Sequence, residues 1–429
     1  MLSALIGTLT ILATYLLVRQ LHGRTLAAAT AALLAVYPYH IQFSRIGLNN
    51  IADPFWAAIV FFLAIRGMVT RHIGYFVGAG FAIGLSQYFY HGVRLVPVML
   101  AIFLLFWLLP EWRTALSWFW HFVVMGIAAL LAALHLAFYY IQFPQLFNER
   151  LGQMGIFQSG WFAREIARTG QDPIRMLFER TRDRFLLFIS IPDLSGFYAP
   201  GTPLLETFSA ILFVFGLAYA ISQLRQRGFF LFVMWFVCGV IFGSVLIMDE
   251  AGSARTVTLT VPLTFFVALG IVKLAEIVAA LAARPTWRWQ IIVGAIALLA
   301  VVNIKFYFVD YIPKRTYTGY VGWVNTEMAK YFMEREGDFK AYFFGPPWDY
   351  LTHGTIAFMV PHLNGMDIRN PIQGPPNFVD PSRDALFIFI PMRQNEFPIV
   401  QDAYPNGTLI DFNMPDGAPL FFIYEVNRQ

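Results

Sequence analysis

From Leu2 to Val309 the chain alternates long apolar stretches with short polar breaks. Each stretch approaches the length of about 20 residues that crosses a bilayer. Ten spans are predicted, near 2–18, 25–43, 54–69, 73–88, 93–109, 118–140, 204–222, 228–247, 256–281 and 290–309. The fold class is therefore an α-helical polytopic membrane protein with about ten transmembrane helices. After Val309 the hydropathy falls. A helix over 325–336 precedes short strands near 340–344, 385–390, 408–412 and 419–426, set apart by turns such as Gly345-Pro346-Pro347 and Gly374-Pro375-Pro376. This predicts a small C-terminal α/β domain, dividing the chain into a membrane domain, 1–312, and a second domain, 313–429.

Arginines mark alternate breaks between spans: Arg19 and Arg24, Arg66 and Arg71, Arg113, Arg225 and Arg227, Arg284 and Arg288. These breaks are short, so the excess of positive charge assigns them to the cytoplasmic side. The other breaks and the C-terminal domain are then extracytoplasmic. The one long connection, 141–203, lies on that outer side. Within it Asp172-Pro173 reads as a helix start, and Ile174, Leu177, Phe178, Phe185 and Phe188 recur at helical spacing, predicting one interfacial helix. Met1 runs almost directly into a span with no basic segment before it, which speaks against a cleaved signal and for an N-terminally incomplete chain.

Composition sharpens this picture. The chain is 58% hydrophobic and only 13% charged, with a mean hydropathy of +0.59. Residues 313–429 carry 9 Lys/Arg against 13 Asp/Glu, leaving 21 against 13 in 1–312. The positive balance thus belongs to the membrane domain and says nothing about nucleic acid; the apolar spans make the lipid bilayer the expected partner, and no nucleic acid is expected. The single cysteine, Cys238, sits in an apolar run and excludes a disulfide framework. His353 and His362 are too isolated to read as ligands, and no metal-binding spacing is present.

The polar residues of the outer breaks are the candidate chemistry: Ser44-Arg45, Asn49, Asn50 and Asp53; Tyr88, Tyr90, His91 and Arg94; Asp249, Glu250 and Arg255. Asp53 precedes Pro54 and a span, so it reads either as a helix cap or as a general base facing a wet cavity. Arg45 is placed to neutralise Asp53 or hold an anion, with Asn49 and Asn50 supplying hydrogen bonds. Tyr88 and Tyr90 read as interfacial belt residues, whereas His91 and Arg94 carry polar capacity at the edge of hydrocarbon. Arg255, heading a span, suits a lipid phosphate, or snorkels, or pairs with Asp249 or Glu250.

The order of these residues resembles the GT-C superfamily, most closely the protein O-mannosyltransferase and aminoarabinose-transferase group of polyprenyl-phosphate-sugar glycosyltransferases. Three stretches carry the resemblance: Leu2 to Arg24, Tyr37 to Arg45 with its Pro38, His40 and Ser44-Arg45, and Ser253-Ala254-Arg255 ahead of a span with Pro262. It covers about 1–310. The resemblance implies a polyprenyl-phosphate sugar donor, a hydroxyl acceptor of unspecified kind, Asp53 as the active-site acidic residue of an outer loop that deprotonates the acceptor, and Arg255 holding the carrier phosphate. From their own positions in the outer breaks, Arg45, Asn49, Asn50, His91 and Arg94 are expected to bind substrate. A divalent metal is compatible with that chemistry. The family's first span and large acidic outer loop have no counterpart here, which implies a chain not competent by itself. A membrane transporter or lipid flippase, or a noncatalytic relative, are the alternatives. The expected location is a bacterial plasma membrane.

Overall fold

The computed structural model describes every residue except 1, 194, 196, 249–254, 315–318, 415–416 and 428–429. It divides into two compact units, 1–314 and 315–429.

In the membrane unit all ten predicted span positions are helical: α1 (Leu2–His22), α2 (Arg24–Val36) with α3 (Pro38–Arg45), α4 (Ala52–Thr70), α5 (Ile73–Ser86), α6 (Leu95–Leu108), α7 (Phe119–Ala132) and, after the outer segment, the last four. That segment holds the short α8 (Leu134–Gln142), α9 (Pro144–Met154), α10 (Trp161–Thr169) and α11 (Pro173–Leu186). The final spans are α12 (Thr207–Ser222), α13 (Arg227–Val240), α14 (Thr260–Leu281) and α15 (Trp287–Lys305). Seven helices are long and apolar enough to cross a membrane, eight with the α2–α3 pair, while α5 and α12 are apolar but short.

The pair α2–α3 is bent by 58°. Pro38 explains the break, since the residue before a proline is pushed out of the helical region, and Tyr37 is extended there. Helices α12 and α14 meet through Gly216 and Gly270, where a Cβ would strike the partner's backbone carbonyl (Phe266 and Leu212). Small residues at such contacts let spans approach closely. At the basic end Arg71 stacks on Trp118 at 5.0 Å and Arg227 on Trp107 at 4.2 Å, keeping guanidinium groups at the edge of the apolar bundle.

The outer segment departs from expectation in holding three helices after α8 where one was predicted. The predicted one is α11, and Asp172 caps it by accepting from the Arg175 N–H at 2.9 Å. Beyond α13 and α15 the backbone widens into π-helical turns, Ile241–Val245 and Phe306–Tyr311.

The C-terminal unit is a five-stranded sheet of order β2-β1-β3-β5-β4, made of β1 (Phe339–Phe344), β2 (Gly365–Asp367), β3 (Asp384–Phe389), β4 (Thr408–Asn413) and β5 (Pro419–Val426). Strand β1 is parallel to β2 and β3, and β5 is antiparallel to β3 and β4. Helices α16 (Gly319–Glu334) and α17 (Gly354–Met359) cover one face. The β2–β3 connection and α18 (Phe397–Ala403) cover the other. Strand β2 escaped the sequence reading because three residues carry no alternation to detect.

Candidate functional site

The candidate site forms where two helices begin. Helix α4 is entered through the tight turn Asn49–Ile51, and the turn Val257–Leu259 leading into α14 packs on both that turn and α4. Asn50, Asp53 and Arg255 are thereby drawn from distant parts of the chain to one end of the bundle, opposite the arginine-marked breaks.

Asp53 is 2% exposed. It does not cap its helix: the N-cap is Ile51, and no side chain bonds the free amides there. A capping side chain must stand outside the helix, and the Asn49–Ile51 turn moves the helix start upstream, leaving Asp53 within the first turn. Its Oδ1 is buried without a hydrogen-bond partner among the described residues. Its Oδ2 faces Gly92, where any Cβ would overlap it. Only glycine lets the His91–Arg94 turn lie this close to the carboxylate. Leaving a buried acceptor unserved costs roughly 1–3 kcal/mol, so it calls for a reason beyond packing.

Tyr90 closes the cluster. Its phenol is hydrogen-bonded to Asn50 and lies within Coulombic reach of Asp53, Arg255 and Arg150. Burial raises the Tyr90 pKa, Arg255 opposes that, and the Asp53 charge adds to it, with smaller opposition from Arg150 and Asn50. The belt reading therefore fails for Tyr90. It holds better for Tyr88, which is 45% exposed. An aromatic cluster adjoins Tyr90: the Tyr39 hydroxyl lies 3.1 Å from Thr256 Oγ1, and its ring stacks on Tyr198 at 5.6 Å. Fully buried Asp193 stands within Coulombic reach of Tyr37, Tyr39 and Tyr198, and the Tyr307 hydroxyl donates to Gln42 Oε1 at 2.9 Å.

Other predicted residues are used differently. Arg94 donates to the Phe147 carbonyl and the Tyr140 hydroxyl, both at 2.7 Å. It braces the start of α6 to α8 and α9, the helix that carries Arg150. Arg45 does not neutralise Asp53; its guanidinium lies 5.6 Å from the Tyr307 ring and 5.5 Å from Phe308. Asn49 donates to the Phe89 carbonyl at 3.3 Å, and His91 is exposed, edge-on to Tyr90. The proposed pairing of Arg255 with Asp249 or Glu250 lies outside the described residues. Sequence reasoning missed Tyr39, Asp193 and Arg150. Tyr39 stood inside the singled-out Tyr37–Arg45 stretch, but nothing in the sequence distinguished the other two. No group of three or more His, Cys, Asp or Glu residues is placed to hold a metal among the described residues.

Chemically, the site offers a carboxylate with an open oxygen, a phenol and an amide to orient a polar group, and arginines for an anion. Comparisons with known proteins bear on the fold. Residues 1–138 match the family described as Dolichyl-phosphate-mannose-protein mannosyltransferase. No curated protein sequence gives a match. The chain is similar to apo ArnT from Cupriavidus metallidurans, at 13% identity and TM-score 0.59, over 99% of this chain and 82% of that one. ArnT bound to undecaprenyl phosphate gives 13% identity and TM-score 0.57, over 99% and 83%. A fainter likeness, TM-score 0.47 at 16% identity over 100% and 63%, is to the oligosaccharyltransferase AglB from Archaeoglobus fulgidus with an inhibitory peptide and a dolichol-phosphate. Together the partial family match and the ArnT likeness give the chain a GT-C fold.

Proposed function

We propose that the protein transfers a sugar from a polyprenyl-phosphate donor to a hydroxyl acceptor at the outer face of a plasma membrane. The observation that carries this reading is the open, buried Asp53 oxygen set among Asn50, Tyr90 and Arg255 in a GT-C fold. Support for the donor comes from the ArnT neighbour, whose structure holds undecaprenyl phosphate. Asp53 takes the proton of the acceptor hydroxyl as its oxygen attacks the anomeric carbon. The bond from that carbon to the phosphate oxygen breaks, and the polyprenyl phosphate leaves with the electron pair. Arg255, with Arg150 nearby, stabilises the charge that develops on the phosphate. Asn50 and Tyr90 orient the sugar or the acceptor. Such a donor suits this location, because its tail needs hydrocarbon while its sugar phosphate needs polar partners at the same depth. The arginine-marked breaks support a cytoplasmic location for the end of the bundle away from Asp53, and the C-terminal unit is assigned to the outer side.

The test is consumption of donor. The purified full-length protein in lipid nanodiscs is incubated with a panel of polyprenyl-phosphate sugars and an envelope extract as acceptor, and free polyprenyl phosphate is followed by mass spectrometry. The proposal expects one donor to be consumed in an acceptor-dependent way. No consumption of any donor, beside an active positive-control enzyme, would sink it.

A further inference from the structure

The C-terminal unit carries a crevice of its own. Strand β1 ends in the turn Gly345–Asp349 and connects to β2 through α17, on one face of the sheet. Strand β2 continues into 368–383, whose Ile372, Phe378 and Val379 pack on the opposite face on the way to β3. Where neighbouring parallel strands send their connections to opposite faces, a crevice opens at their carboxyl ends, and open α/β sheets take ligands there. A cavity of about 610 Å³ lies at the carboxyl end of the edge strand β2, bordered by Met366–Phe378, the end of that strand and the segment that leaves it. That is within the range of about 300–1,000 Å³ of small-molecule sites.

The border is pre-set. Arg393 is 3% exposed and Glu396 4%. Arg393 donates to the Ile368 carbonyl, to the Asn370 carbonyl at 3.1 Å and to the Pro346 carbonyl at 3.4 Å, while Glu396 accepts the Ile372 N–H at 2.8 Å. A buried ion pair is thus directed onto the backbone of one exposed loop, which Pro371, Pro375 and Pro376 stiffen further. Arg369, Asn370, Gln373 and Asn377 remain exposed on it. The side chains of Asn370, Gln373 and Asn377 make no hydrogen bond among the described residues. Trp348, 53% exposed, stands in the adjoining turn, two residues from the Pro346 carbonyl that Arg393 holds.

This lining selects a chemistry. Met366–Phe378 carries one acid, Asp367, and one base, Arg369, so the border is formally neutral and lacks the clustered cations that a phosphate-rich ligand requires. Amide side chains both donate to and accept from hydroxyl groups, and an indole face suits the apolar C–H surface of a sugar ring. We propose that this crevice binds a neutral oligosaccharide through Asn370, Gln373 and Asn377, with Trp348 stacking on a ring. Its identity as the acceptor or product glycan rests on the glycosyltransferase reading; the binding itself does not.

The experiment titrates the full-length protein in detergent with maltohexaose, mannohexaose and chitohexaose, and with a Ser/Thr-rich hexapeptide, by saturation-transfer NMR. Saturable binding of at least one hexasaccharide is expected. It should weaken at least tenfold in Asn370→Ala/Gln373→Ala and in Trp348→Ala, with melting temperatures unchanged, and persist in Asp53→Asn. Absence of hexasaccharide binding, binding untouched in both crevice variants, or saturable binding of the peptide instead would overturn the proposal. Sugar transfer without oligosaccharide binding would remove this inference alone. Oligosaccharide binding without transfer would remove the proposed function alone.

Discussion

Glu396 in the C-terminal unit and Asp53 in the membrane unit are both buried carboxylates, and the two are served in opposite ways. In the C-terminal unit Glu396 faces the Arg393 Nε at 2.6 Å and Nη2 at 2.7 Å and also accepts the Ile372 N–H. In the membrane unit Asp53, equally buried, leaves one oxygen without a partner among the described residues and presses the other toward Gly92. A satisfied buried pair resists removal of either member but does nothing to an outside molecule. An unsatisfied one costs stability and keeps its lone pairs for a substrate. The comparison teaches that burial alone does not mark a functional acid; the hydrogen-bond inventory around it does.

The contrast can be broken at its satisfied side first. Arg393→Ala strands Glu396 in the interior, and removing one partner of a buried pair costs about 3–5 kcal/mol. Hydrogen exchange of residues 339–426 should show that loss, while the membrane unit is untouched; unchanged protection would mean the pair is not holding the unit. Next in size is Arg255→Ala, which removes one charge-assisted contact of about 1.5–3 kcal/mol. The apparent donor affinity should fall roughly tenfold or more with acceptor preference kept, and an unaltered donor KM returns Arg255 to snorkelling. Gly92→Ala pushes a methyl group against the Asp53 carboxylate. The transfer rate should drop about tenfold, since small displacements of catalytic groups are costly, and the overlap should cost about 1–3 kcal/mol of stability; an unchanged rate would mean that the Asp53 position does not matter to transfer.

The smallest effect concerns Asp349, which accepts from Asn325 Nδ2 at 2.7 Å and from the Tyr350 N–H at 2.8 Å. Burial raises its pKa above the usual 3.8, and those hydrogen bonds oppose the shift. A raised carboxyl contributes fully to stability below its unfolded pKa, and the contribution is lost as pH rises through the folded value. Asp349→Asn should therefore gain on the natural protein as pH climbs above 3.8. A pH-independent difference in urea midpoint would contradict this.

Much of the fold was legible in the sequence because its signals are local. Apolar length marked every span position, alternate arginines marked one end, and Asp172-Pro173 gave the start of α11. Four of the five strands stood out as aromatic and β-branched runs between Pro/Gly turns. The bend at Pro38 lay hidden inside what read as one span, because a bent span keeps its hydropathy. The site was less legible because its meaning is relational. Arg45, Arg94 and Arg255 look alike as boundary arginines, yet Arg45 lies against aromatic rings, Arg94 braces two helices, and Arg255 stands by Tyr90. Tyr90 looked like a belt residue until Asn50 and Arg255 arrived beside it from other elements.

The central claim is that the open Asp53 oxygen is the base for sugar transfer. The direct measurement compares single-turnover transfer and thermal unfolding of the natural protein and Asp53→Asn in the same nanodiscs, with the consumed donor. Loss of general-base assistance predicts a transfer rate lower by about 10²–10⁴-fold, with a melting temperature equal or higher. Transfer at the natural rate in a well-folded Asp53→Asn protein would contradict the account.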